Sequence, residues 1–413
     1  MNPYKKNVFI LLSLCFLDML SYAMFSPLAA FLFLDGKFSL LPETVSNRHF
    51  LLGCFLSIYS VMQILSAPFW GQVAIALNKK KVLLFSYLGS ILGYTTCMLG
   101  IYFKEITFFF IGSFISGTTG SNMAMVNAFI SQDENRRHWS QIYSLFGGVI
   151  GLAWIIGPQA VKLIMLKIDN FNLYYLVLII CTCISIMNFI SVKINLKEEK
   201  ENSYFKFKKA NFFTIFSKKP TVPFNKKSLF ILMYMFCIYF SWFYFLKFFQ
   251  VILFDKFYLD ETKCIEMTSF LGLSCAVWQL LRFLNYKNWF EKKFWLTLST
   301  ALMAASTVFL MYATTINELM ITVIVISFSY SVIIPSVVAL FLSEGDGAKE
   351  LKASWYQSAQ SLAKILSPLL SGYVLSYSEI SPILVSSFFL CFAFFILLSM
   401  ETKSKKYSEV LSS

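Results

Sequence analysis

Three ionisable side chains, Asp18, Lys247 and Lys364, are embedded in long apolar runs. A charge at the centre of such a run costs about 3 kcal/mol on insertion scales. Asp18 lies about 16 Å into its run at 1.5 Å per residue, too deep for a short carboxylate to reach the headgroups. A carboxyl group so placed carries a proton, binds a cation or pairs with a base; a protonated, purely structural Asp is the competing reading. Lys364 is about 15 Å from the nearer end of its run, beyond the reach of a snorkelling lysine, so it must face protein or water. Lys247 is only about 10 Å from an end, which leaves snorkelling and function equally open. Gln63, Gln357 and Ser361 add hydrogen-bonding groups at depth, as do Asn122, Asn127, Gln159, Gln279 and Gln360. Gln357, Ser361, Lys364 and Pro368 recur every three or four residues and share one helix face. That face either lines a wet cavity or bonds to neighbouring helices.

The elements that must position these residues follow from the polar breaks. Cutting there leaves twelve runs: 7–34, 50–77, 82–103, 106–131, 142–166, 174–194, 228–255, 265–286, 294–314, 319–343, 354–377 and 381–400. Each suffices to cross a hydrocarbon core of about 30 Å, which takes about 20 helical residues. The runs are continuously apolar rather than alternating, and lipid tolerates no open backbone, so helices are expected and barrel strands are not. The expected fold is an all-α integral membrane protein of twelve transmembrane helices in two six-helix halves. The halves are residues 1–194 and 228–400, joined by a basic linker at 195–227 and followed by a tail at 401–413. Most of the 35 Lys and Arg fall on one side of this layout, which places both termini, the linker and the tail in the cytoplasm. Within the linker, Phe205 to Phe216 mixes Lys with Phe and Ile, and reads as a topological anchor or as an amphipathic helix on anionic headgroups.

Composition agrees: 57% of the 413 residues are hydrophobic, 18% aromatic and only 14% charged, against about a quarter charged in soluble domains. The net charge of +13 is explained by topology, and nucleic-acid binding is disfavoured. Nine cysteines form no framework, and His49 and His138 are far apart, so no metal-ligand set is expected. No phosphate-binding Gly-Lys loop, H-E-x-x-H or G-x-S-x-G is present. Neither an enzyme nor a bound cofactor is expected.

Glycine and proline mark packing and bending. Gly112, Ser116, Gly120 and Ala124 form a small-residue stripe that admits a neighbouring helix. Gly148, Gly151, Gly157 and Pro158 share one run; proline removes a helix hydrogen bond, and the glycines permit a bend. These four residues are candidates for a hinge or gate. Arg282 is a candidate either for a gate or for a headgroup anchor.

Several segments together resemble a known family, in order along the chain. They are Leu17-Asp18-Met19-Leu20-Ser21-Tyr22 through Pro27; Tyr59 to Gln63 with Ala67-Pro68 and Gly71; Glu134-Asn135-Arg136-Arg137-His138 followed by Phe146-Gly147-Gly148 through Gly157-Pro158; Pro335; and Ser367-Pro368. The sequence resembles the major facilitator superfamily, and within it the twelve-span drug:proton antiporters of the tetracycline-efflux type. That resemblance implies rocker-switch alternating access, export through the helix-five antiporter motif, a bacterial inner-membrane location and a monomer. It also assigns Gly71 to the cytoplasmic gate. Two positions depart from the pattern: Ile75 replaces the usual acid of the loop after helix two, and Ser113 replaces the usual helix-four arginine.

The functional expectation is a secondary active transporter that exports a small organic solute in exchange for protons, with Asp18 as the protonation site. Lys364, Lys247, Gln63, Gln357 and Ser361 complete the candidate substrate and coupling set. A second expectation is import or export of an anionic carboxylate metabolite or siderophore, because two lysines face one aspartate in the candidate set. A third, of another class, is a non-transporting membrane receptor or sensor.

Overall fold

The computed structural model describes residues 3–34, 39–42, 45, 47–77, 79–122, 125, 139–167, 171–196, 226–284, 293–343, 349–375 and 381–412. Among them the chain is built from helices: α1 (Pro3–Leu34), α2 (Arg48–Leu77), α3 (Lys79–Phe103), α4 (Thr107–Thr119), α5 (Trp139–Met165), α6 (Phe171–Asn195), α7 (Lys226–Val251), α8 (Glu261–Leu284), α9 (Lys293–Tyr312), α10 (Ile316–Ser343), α11 (Lys349–Leu375) and α12 (Ser381–Ser412). Among the described residues, nine helical stretches are long and apolar enough to cross a membrane. Helix α4 and the apolar part of α12, Ile383–Ser399, are shorter. The protein is a multi-pass membrane protein. Its outward-facing Leu, Ile and Phe side chains, such as Phe388 at 68% exposure and Phe395 at 66%, suit contact with acyl chains.

The chain divides into two compact units, Met1–Pro220 with Asp260–Ala276, and Thr221–Leu259 with Val277–Ser413. In the first, α1 packs on α5 and α6, α3 on α4 and α6, and α2 on α4. Glycine permits the α3–α4 contact: a Cβ on Gly93 would stand 1.8 Å from Ser116 Oγ and 2.9 Å from the Gly112 carbonyl. Gly112 and Ser116 therefore pack as the small-residue stripe predicts, whereas Gly120 lies beyond the end of α4 against Tyr59 of α2 and Ala124 is outside the described residues. In the second unit α7 packs against α11 and α12, and α9 against α10 and α12. Helix α7 is buried along most of its length, with Tyr234, Tyr239, Phe240, Phe245, Phe248 and Phe249 fully enclosed. It ends in a π-helical turn, Ile252–Lys256. From that turn the Lys256 ammonium donates to the Leu310 and Met311 carbonyls, which lack partners in the last turn of α9.

Two boundaries differ from the sequence expectation by about a dozen residues. Helix α12 runs through Ser412, because nothing in Glu401 to Ser412 breaks a helix once the apolar segment has nucleated it. The fourth run, expected to be continuous over 106–131, stops as a helix at Thr119. Thirteen residues span only about 20 Å. Gly120 has φ −70° and ψ 68° and the Ser121 N–H donates to the Thr119 carbonyl at 2.7 Å, which together make an inverse γ-turn. A helical turn resumes at once, the Met125 N–H donating to the Ser121 carbonyl at 2.9 Å. The linker segment Phe205 to Phe216 and Asn127 lie outside the described residues.

Candidate functional site

In the first unit the break in α4 and Asp18 form one polar cluster. A helix that ends at membrane depth leaves carbonyl groups without partners, and lipid cannot supply any. Side chains of α2 and α3 supply them. Ser66 Oγ donates to the Gly117 carbonyl at 3.4 Å, Trp70 Nε1 to Thr118 at 2.6 Å, Ser86 Oγ to Thr119 at 2.6 Å, and Gln63 Nε2 to Gly120 at 2.7 Å. Gln63 thus supports the turn. Just beyond it, Asn122 Nδ2 donates to Asp18 Oδ1 at 3.2 Å. Asp18 stands in the middle of α1, and no basic side chain of its own unit pairs with it among the described residues.

Replacing Gln63 with Leu would leave the Gly120 carbonyl without this donor, at a cost of roughly 1 to 3 kcal/mol for an unsatisfied buried group. The purified variant is expected to melt at a lower temperature than wild type in the same detergent, and unchanged melting would show that this hydrogen bond contributes nothing.

The expected hinge residues fall on α5, which contains Pro158. Gly157 is pressed onto α1: a Cβ there would lie 2.8 Å from Ala23 Cβ and 3.1 Å from both Ala23 C and Met24 N. Gly151 meets Ala276, where a Cβ would stand 2.6 Å from Ala276 Cβ, whereas among the described residues nothing lies within 4 Å of a Cβ on Gly148. Helix α5 also carries an ion pair that sequence reasoning missed, Lys162 with Glu266 of α8. Both residues lie near helix ends, where a charge is cheap, so neither stood out in the sequence. Gly71 lies in α2, and its surroundings fall outside the described residues.

In the second unit, two cations approach carbonyl groups that prolines have orphaned. Pro335 in α10 offers no N–H to the Ser331 carbonyl four residues earlier; Arg282 Nη1 donates to that oxygen and lies 3.3 Å from the Val332 carbonyl. Arg282 therefore supports a proline position, a role neither sequence expectation included. Pro368 in α11 does the same to the Lys364 carbonyl, and Lys247 Nζ lies 3.5 Å from it. The Lys364 ammonium itself stands over the Phe243 ring at 5.3 Å, a cation–π placement. Phe243 stacks on Tyr239, whose hydroxyl is 2.6 Å from that of Tyr356. Faces of α7 and α11 thus bring two ammonium groups and several aromatic rings together. Ser361 is buried on α11, and the side chain of Gln357 on the same helix is outside the described residues.

A deep carboxyl group, a broken helix and half-buried cations beside carbonyl groups that prolines have orphaned are features of a carrier. A profile of the Major Facilitator Superfamily matches residues 11–344. The chain belongs to the Major Facilitator Superfamily. Members of that superfamily are transporters rather than enzymes. Among curated relatives, it is 29% identical over 159 residues to the class H tetracycline resistance protein of Pasteurella multocida, covering 38% of this chain and 36% of that one. It is 27% identical over 159 residues to the class E tetracycline resistance protein of Escherichia coli, covering 37% of this chain and 36% of the relative. The matched segment is thus about a third of each relative's length. Among solved structures, a D-xylose-proton symporter superposes with a TM-score of 0.73 at 13% identity, covering 95% of this chain and 96% of that one. The human organic anion transporter MFSD10 superposes with a TM-score of 0.70 at 16% identity, covering 96% and 100%. These likenesses establish the superfamily's fold.

Proposed function

We propose that this superfamily member is a proton-coupled exporter of a small organic solute, with Asp18 as the site where the coupling proton binds. The observation that carries the proposal is the Asp18 carboxyl in mid-helix, held by Asn122 and without a basic partner in its own unit among the described residues. An ion can drive a carrier only by binding its states with different affinity, and a lone carboxyl at depth is a group whose charge can change during the cycle. The relatives named as tetracycline resistance proteins support the direction. The reading includes a bacterial inner-membrane location with both termini cytoplasmic, and a monomer. The test is a flux screen in liposomes with a proton gradient imposed across the membrane. Gradient-dependent accumulation of at least one solute is expected; carriage of solutes in every case to equilibrium only would refute proton coupling.

Lys364 and Lys247 support a second feature of the reading, an anionic group on the solute. Two cations share the facing surfaces of α7 and α11, and no carboxylate pairs with Lys364 among the described residues. A carboxylate on the solute would offset that charge, lysine binding it as a mobile point charge. For such a solute Lys364→Gln is expected to raise the apparent KM about tenfold, the equivalent of one charge-assisted hydrogen bond. Equal KM values for wild type and variant would remove the anion from the reading.

A further inference from the structure

We propose that the Phe243 ring is the resting partner of the Lys364 ammonium and competes for it with the carboxylate of the solute, so that Phe243 is a positioning residue that sets how tightly an anion is held. The inference rests on the reading of Lys364 as the place of the solute's anionic group and adds the contact that this group must displace.

An ammonium group at this depth is costly unless something offsets its charge, and no carboxylate pairs with Lys364 among the described residues. Its Nζ lies 5.3 Å from the centroid of the Phe243 ring, whose negative face attracts a cation. The ring is fixed. Phe243 is 8% exposed and stacks on Tyr239 at 5.8 Å and 15°, its neighbour one helical turn back on α7. The Tyr239 hydroxyl in turn lies 2.6 Å from that of Tyr356 on α11. The ammonium is not fixed in the same way. Lys364 is half-buried, and a flexible four-carbon stem lets its charge take several positions around one Cα. Drawing the ammonium off the ring therefore needs a rotamer change of Lys364 and no movement of a helix.

The order of strengths makes such an exchange work. A cation–π contact at a half-buried site is weaker than a charge-assisted hydrogen bond to a carboxylate. An anionic solute therefore takes the ammonium, and a neutral one leaves it on the ring. A carboxylate of the protein in the place of Phe243 would hold the ammonium far harder, because parting a buried ion pair leaves a charge uncompensated. A ring partner keeps the cation tolerable at depth and still available. It also weakens the binding of each anion by the same factor, since each must displace it first. Removing the ring face should therefore tighten anion binding, the opposite sign from the loss of an ordinary wall of the site.

The experiment uses the full chain in detergent at one pH. A pulse of reductive methylation with formaldehyde labels lysine amines, and mass spectrometry reads the label at Lys364 against the concentration of succinate, citrate or benzoate, with succinamide and benzamide as neutral controls. In wild type at least one of the three anions is expected to shield Lys364, and the amides are not. Phe243→Leu and Phe243→Met keep an apolar side chain but have no ring face. In both, the half-shielding concentration of that anion is expected to fall roughly fivefold, about what a cation–π contact contributes. Phe243→Tyr, which keeps a ring face, is expected to stay close to wild type. Lys256, tied to carbonyl groups of α9, is the control for misfolding, and its labelling should be the same throughout. A half-shielding concentration that is unchanged or higher in the ring-free variants, or that falls as far in Phe243→Tyr, would overturn the resting-partner role and leave the anion site standing. If none of the three anions shields Lys364, the anion reading is overturned and the role of Phe243 with it.

Discussion

Replacing Asp18 with Asn is expected to abolish uphill transport while leaving exchange down a gradient intact. A pH difference of about one unit is worth about 1.4 kcal/mol per proton, which at one proton per solute sustains roughly tenfold accumulation. An amide of the same size cannot take up that proton in the relevant pH range, so the accumulation ratio should fall from about tenfold to about one. The rate of solute-for-solute exchange, which needs no proton, should change far less. The measurement is ratio and exchange rate in the same liposomes, using a solute that wild type accumulates. A variant that still accumulates it would place the coupling site elsewhere, and one that loses both activities would point to a purely structural Asp18.

The second large effect is expected at Gly157. A side chain there meets backbone atoms of α1, with Ala23 C and Met24 N both at 3.1 Å from the added Cβ. Backbone cannot turn aside as a flexible side chain can, so Gly157→Leu must drive α5 away from α1. Overpacking of this kind costs about 1–3 kcal/mol and sometimes more, a large share of a typical stability. The variant is expected to lose most of its folded, monodisperse yield. Gly148 is the control on the same helix. Among the described residues nothing lies within 4 Å of a Cβ there, and Gly148→Ala should be neutral or gain up to about 1 kcal/mol from helix propensity. Melting temperatures in one detergent would compare the two, and equal tolerance at both sites would show that the α1–α5 contact is not tight.

Sequence alone determined that this is a helical membrane protein, because only helices or closed barrels satisfy their backbone in lipid and the runs around Asp18 and Lys247 are continuously apolar. It also singled out Asp18, Lys247 and Lys364, since a charge in hydrocarbon is conspicuous whatever surrounds it. The ordered Gly and Pro positions carried the superfamily resemblance, and the profile match over residues 11–344 agrees with it. What sequence could not give was the partner of each group. The break at Gly120 lies in Ser116-Gly117-Thr118-Thr119-Gly120-Ser121-Asn122, a small and polar stretch that marks a turn between longer apolar flanks, and donors arriving from α2 and α3 make it tolerable at depth. Arg282 reads in sequence as a gate or an anchor, and only the fold shows that it also meets the Pro335-orphaned Ser331 carbonyl of α10. Lys162 and Glu266 lie near helix ends, where a charge is cheap, and only packing pairs them. Burial cost is a property of one residue and its neighbours along the chain, whereas satisfying a buried polar group depends on what the tertiary fold brings to within about 3 Å of it.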